Sequence, residues 1–167
     1  MTTSSPVAFF QRFLLTATLV VLAPSLVTAC GKRGEGSNRG ASGSHSASVA
    51  KVSDGLLQFE AHISWAAVSS SWVGKRSGWV SSVKSASTPA EVAKQLLALE
   101  TAMGWPGVED GWKVRRAGWL AEVSSAKTAG EVARLLVELE TSTKWSAVTA
   151  EWKGVRPTWL ATLNAIP

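Results

Sequence analysis

Three residue types recur at one interval in this 167-residue chain, and together they have the makings of binding chemistry. Trp65, Trp105 and Trp145 lie 40 apart, as do Trp72, Trp112 and Trp152, and Trp79, Trp119 and Trp159; all nine tryptophans fall in these series. Arg76, Arg116 and Arg156 keep the same interval, as do Glu60, Glu100 and Glu140. A guanidinium laid on an indole face gains about 0.5–2 kcal/mol. A carboxylate beside it offsets the cost of burying the arginine alone. The same set turned to solvent would form a groove for anionic or sugar groups. Recurrence in every unit is what a shared core produces, so the spacing favours packing over a ligand site.

Catalytic signatures are absent from the sequence. There is no Gly-x-Ser-x-Gly elbow, no phosphate loop and no His-Glu-x-x-His pair. The imidazoles are His45, in a Gly/Ser-rich stretch, and His62, whose counterparts at the 40-residue interval are Ala102 and Ser142. His62 therefore reads as a surface or half-buried residue, and no serine has a base. A single cysteine excludes an internal disulfide framework and Cys-rich zinc sites, and two histidines do not make a multi-histidine metal centre. Glu109 and Asp110 read as acids in the first turn of a helix, where the helix dipole favours them. No enzyme activity, metal or cofactor is expected. The net charge of +5 also divides unevenly. Arg12 supplies +1, the segment 30–47 supplies +2, and residues 48–167 hold 13 basic against 11 acidic side chains. A nearly balanced repeat region lacks the basic stripe that nucleic-acid binding requires, and no nucleic-acid partner is expected.

Cys30 is the one residue placed for covalent chemistry. Arg12 is followed by an apolar run from Phe13 to Leu22, then Pro24 and a small-residue region ending at Cys30. The run is shorter than the ~20 residues that span a bilayer, which reads as a cleaved export signal over 1–29. The sequence Leu26-Val27-Thr28-Ala29-Cys30 resembles a bacterial lipoprotein lipobox. That resemblance implies cleavage between Ala29 and Cys30, with Cys30 left as the diacylated first residue of the mature chain, carrying chains such as palmitate that give a stable membrane anchor. Gly31 in place of aspartate implies, by the same resemblance to enteric lipoproteins, the outer rather than the inner membrane in a host that has two.

The elements that must position the repeated residues follow from the rest of the chain. Residues 31–47 hold five Gly and four Ser and no large apolar side chain, which predicts a flexible tether over 30–47. Residues 48–167 divide into units 48–87, 88–127 and 128–167; the last two match at 16 of 40 positions. Such a period marks stacked supersecondary units sharing one core. Thr88-Pro89-Ala90-Glu91 and Thr128-Ala129-Gly130-Glu131 are capping boxes, a hydroxyl N-cap with Glu at N3. In the first unit Ser48 is the candidate cap, Lys51 replaces the Glu, and Gly55 predicts a fraying helix. Val92, Leu96, Leu99 and Met103 make one apolar stripe that ends near Gly104. Pro106 begins a second segment carrying the tryptophans, for which Pro157 predicts a kink near the arginine.

The stretch Trp119…Val123…Ala126-x-Thr128…Glu131-Val132-Ala133…Leu136…Leu139-Glu140…Trp145 is similar to the WSD-type helical motif of chromatin-remodelling subunits. The resemblance implies a helical pairing unit, and an export signal is at odds with a nuclear role. The expectation is an all-α protein, its repeats stacked into a small bundle or short solenoid. Its expected role is non-catalytic protein binding or assembly at the cell envelope, the alternative being glycan or peptidoglycan binding through exposed Trp faces.

Overall fold

Apolar residues at helical spacing run through the long helices of the computed structural model, which describes residues 39–167 and side chains from Ser46 onward. The export signal, Cys30 and the tether as far as residue 38 lie outside the described residues. Helices α1 (Arg39–Ala61), α2 (Trp65–Val68), α3 (Val73–Ser85), α4 (Pro89–Gly107), α5 (Trp112–Ser125), α6 (Ala129–Thr141) and α7 (Trp152–Asn164) make an all-α architecture. Short 3-10 turns at Ser70–Trp72 and Trp145–Ala147 precede α3 and α7. Among the described residues only two isolated bridges, Ile63 with Val148 and Val108 with Thr143, have strand-like pairing.

The capping boxes form as their spacing requires. Thr88 Oγ1 accepts the Glu91 N–H at 3.3 Å while Glu91 Oε2 accepts the Thr88 N–H at 3.0 Å. Thr128 and Glu131 repeat the exchange at 3.2 and 2.9 Å. Backbone donors, from Ser87 first and Thr88 after it, hold the Glu91 carboxyl below its ordinary range; Lys127 and Thr128 do the same for Glu131. The stripe Val92, Leu96, Leu99 and Met103 is fully buried, and Gly104 ends it by taking φ +55°.

Helices α1, α4 and α6 pack on one another as an inner layer. Each outer helix sits between two of them: α3 on α1 and α4, α5 on α4 and α6, and α7 on α6 and α1. The third tryptophan of each series ties the layers. Trp79 Nε1 donates to Gln95 O at 3.0 Å, Trp119 Nε1 to Leu135 O at 3.0 Å, and Trp159 Nε1 to Gly55 O at 2.8 Å. Gln95, Leu135 and Gly55 are the same position at the 40-residue interval. The last bond runs from the final helix back to the first, so the array closes on itself as a bundle. A solenoid would leave that pair apart.

Three local expectations change. The first helix begins at Arg39, running through Ser48, so it takes in part of the segment read as tether. Gly55 is a close-packing position in it: a Cβ there would lie 2.8 Å from Leu163 Cδ2. The segment carrying the tryptophans breaks before its second Trp, with no kink at the arginine. Val108 and Val148 take extended backbone where neighbouring connections pair, while α7 continues through Pro157. Glu109 and Asp110 consequently sit in the turn ahead of α5, where the Glu109 N–H donates across to Ser142 O at 2.8 Å.

Candidate functional site

The Glu, Trp and Arg series meet in three equivalent clusters, each built from the end of an inner helix and the first turns of the next outer helix. Glu100 is buried near the end of the α4 stripe, and Trp112 and Arg116 occupy one face of α5 four residues apart. Trp112 Nε1 donates to Glu100 Oε1 at 3.0 Å. Arg116 reaches the same carboxylate with Nε at 2.6 Å and Nη2 at 2.8 Å. Glu140 receives Trp152 at 2.8 Å and Arg156 at 2.7 and 3.0 Å. Glu60 receives Trp72 at 2.8 Å and Arg76 at 2.8 and 2.9 Å. Each carboxylate thus has charge-assisted, bidentate partners that offset its burial. The hydrogen bonds to these glutamates raise the pKa of Arg76, Arg116 and Arg156, fixing the arginines as cations.

The three tryptophan series divide between core and surface. Trp72, Trp112 and Trp152, with Trp79, Trp119 and Trp159, are buried. Within each pair the indoles meet edge to face at 5.1–5.4 Å between centroids. The first series behaves differently. Trp105 and Trp145 are 49% and 54% exposed. Arg116 lies 5.7 Å from the Trp105 ring centroid and Lys113 5.9 Å from it; Arg156 and Lys153 both lie 5.8 Å from that of Trp145. Trp65, their counterpart, instead stacks on Trp72 at 5.0 Å and donates to Glu60 O. Beside the two exposed rings open clefts of about 200 Å³, by Trp105 and Arg116, and about 250 Å³, by Trp145 and Arg156.

The chemistry available here is recognition: an indole face, a guanidinium edge and a carboxylate already saturated by donors. Among the described residues no group of three or more His, Cys, Asp or Glu could hold a metal ion. His62 is half-buried; its Nδ1 lies 3.1 Å from Thr149 Oγ1 and its ring 5.3 Å from that of Trp152. Cys30 lies outside the described residues. Sequence reasoning missed a groove of about 440 Å³ between α3 and α4, lined by Ser69, Lys75, Ala98 and Thr101 among others. The available signal was a departure from the repeat: Lys75, Ala98 and Ala102 correspond to Arg115, Glu138 and Ser142.

A family model described as a domain of unknown function (DUF8799) matches the chain twice, over residues 47–104 and 94–144. No curated protein and no solved structure matches the chain.

Proposed function

The chain belongs to the DUF8799 family, and on that premise we propose that it is a membrane-anchored bacterial lipoprotein whose bundle binds another envelope protein without catalysing a reaction. One observation carries the binding role. Val73, Trp105, Val114 and Trp145, the exposed large apolar side chains of the described residues, all sit where inner helices hand over to outer ones. The bridges between neighbouring connections put these hand-over points at one end of the bundle. Exposed large apolar side chains carried at one end of a bundle are what an interaction site presents.

A photo-cross-linking residue at Val114, in the native envelope, should give one defined protein adduct that is lost in the Trp105→Ala/Trp145→Ala variant. No protein adduct from Val114, Val73 or either Trp position would sink the protein-binding role. Anchoring is tested apart: Cys30→Ala should leave an unacylated precursor, and a mature Cys30 protein of normal size without acyl mass would overturn it. Gly31, in place of aspartate after Cys30, also supports an outer-membrane location in a two-membrane host.

The half-exposed Trp105 and Trp145 rings favour a second reading, glycan or peptidoglycan binding. It expects peptidoglycan fragments to shield the quencher-accessible part of the tryptophan emission, the part the double alanine variant removes. Unchanged quenching at saturating fragment would reject it.

A further inference from the structure

The repeat supplies its own control for the groove between α3 and α4. Each outer helix meets the next inner helix along an equivalent seam, and two of the three seams are filled. Where α5 meets α6, Arg115 Nη2 donates to Ser142 Oγ at 2.9 Å and Arg115 Nη1 lies 3.8 Å from Glu138 Oε1. The connections there pair through Val108 and Thr143. Where α7 meets α1, His62 contacts Thr149 and Trp152, and the connections pair through Ile63 and Val148. Among the described residues, no such bridge joins the connections where α3 meets α4, and Lys75 has no ion-pair partner there. Ala98 and Ala102 stand where Glu138 and Ser142 fill the α5–α6 seam. The result is the groove of about 440 Å³, with Leu97, Ala98 and Ala102 as its apolar floor and Lys75 and hydroxyls at its rim. That volume lies within the range of ligand sites.

We propose that this groove takes an acidic side chain, flanked by apolar residues, from a partner protein: the carboxylate sits opposite Lys75, as Glu138 sits opposite Arg115. The Ser69 and Ser71 hydroxyls share a hydrogen bond at 3.2 Å, which leaves one of them, with Thr101, as rim donors to the same carboxylate. The neighbouring apolar side chain lies on Leu97 and Ala98, the surface that short side chains leave open. This inference rests on the protein-binding role above and identifies one site for it.

The probe is a capped Leu-Glu-Leu tripeptide, titrated into the full chain in detergent with its alanine and leucine methyl groups labelled for NMR. Shifts should centre on the methyl groups of Leu97, Ala98 and Ala102. The Leu-Gln-Leu tripeptide should bind about twofold to fivefold more weakly, the ratio a solvent-exposed ion pair supplies. Lys75→Gln should abolish that difference while leaving the helix spectrum unchanged. The variant Lys75→Arg/Ala98→Glu/Ala102→Ser copies the filled seam and should lose binding with no loss of stability. Equal affinity for both peptides, shifts centred elsewhere, or none at tens of millimolar would overturn the groove. Each of these leaves the Val114 cross-link to judge the broader binding role separately.

Discussion

The seam that closes the bundle, α7 on α1, and the seams between consecutive units use the same hydrogen bond on different side chains. In each, an indole N–H reaches an inner-helix carbonyl, at 2.8 Å for Trp159 and 3.0 Å for Trp79 and Trp119. Around that bond the residues are exchanged. The closing seam sets Leu163 against Gly55, whereas the consecutive seams carry Val83 and Gln95, and Val123 and Leu135, at the corresponding positions. Phe59 replaces the Leu99 and Leu139 of the other units and packs on Trp152 at 5.5 Å and Trp159 at 5.9 Å. A seam with its own large-to-small pairing selects one partner, which favours closure within the chain over addition of a second copy. The interaction that is copied specifies the fold, and the packing that is not copied specifies its register.

The largest test removes the shared bond and its ring. Trp119→Ala and Trp159→Ala should each cost about 3–5 kcal/mol, the range for deleting a fully buried aromatic. Urea denaturation measures both. If the closing seam contributed little, Trp159→Ala would fall well below Trp119→Ala, and the picture of a closed bundle would fail.

Next is the ion pair within each cluster. Arg116→Met leaves Glu100 buried with only the Trp112 N–H. Breaking a buried pair costs about 3–5 kcal/mol, and the 32% exposure of the Arg116 side chain puts the expectation at the lower end. The Arg76 side chain is 48% exposed, so Arg76→Met should cost less. Equal losses, or none at Arg116, would deny the clusters a role in stability.

How much of this the sequence disclosed depends on whether the cause was local. A capping box is complete within four residues, so Thr88–Glu91 and Thr128–Glu131 were readable as they stand. The stripe from Val92 to Met103 was readable for the same reason, and the 40-residue interval gathered each Glu–Trp–Arg set before any contact was known. Closure was not readable, because the bond from Trp159 to Gly55 spans 104 residues and its acceptor is a backbone carbonyl carrying no residue type. Gly55 looked like a helix weakness because its reason, Leu163, lies on the far helix. The break before Trp112 escaped for a similar cause: Val108 is extended by pairing with Thr143, while Pro157 drew attention to the wrong place. Identical spacing also concealed that Trp105 and Trp145 stay at the surface while Trp65 stacks on Trp72.

A smaller change sharpens the closing seam itself. Gly55→Ala puts a methyl where only 2.8 Å separates it from Leu163, and overpacking of this kind costs about 1–3 kcal/mol. Leu163→Val, which copies the residue of the other seams, should recover most of that loss in the double variant. A thermodynamic cycle reads the coupling directly. Independent, additive effects would mean that the pair does not define the seam.

The smallest expected effect separates α1 from the other inner helices. Glu91 and Glu131 ionise below their ordinary value of 4.5 because backbone N–H groups hold their carboxylates. A depressed folded pKa contributes stability that is complete above that ordinary value and is lost as pH falls through the depressed one. Acidification should therefore raise hydrogen exchange first at the starts of α4 and α6, while α1, where Lys51 stands at the position of Glu91 and Glu131, holds through Val49–Leu56. Thr128→Ala should cost about 1 kcal/mol at neutral pH, and Glu131→Gln, by removing the carboxyl that the Lys127 and Thr128 N–H groups hold, should flatten the acid response of α6 alone. Parallel loosening of all three inner helices would place the acid sensitivity elsewhere, and the capping boxes would then distinguish α4 and α6 from α1 in geometry only.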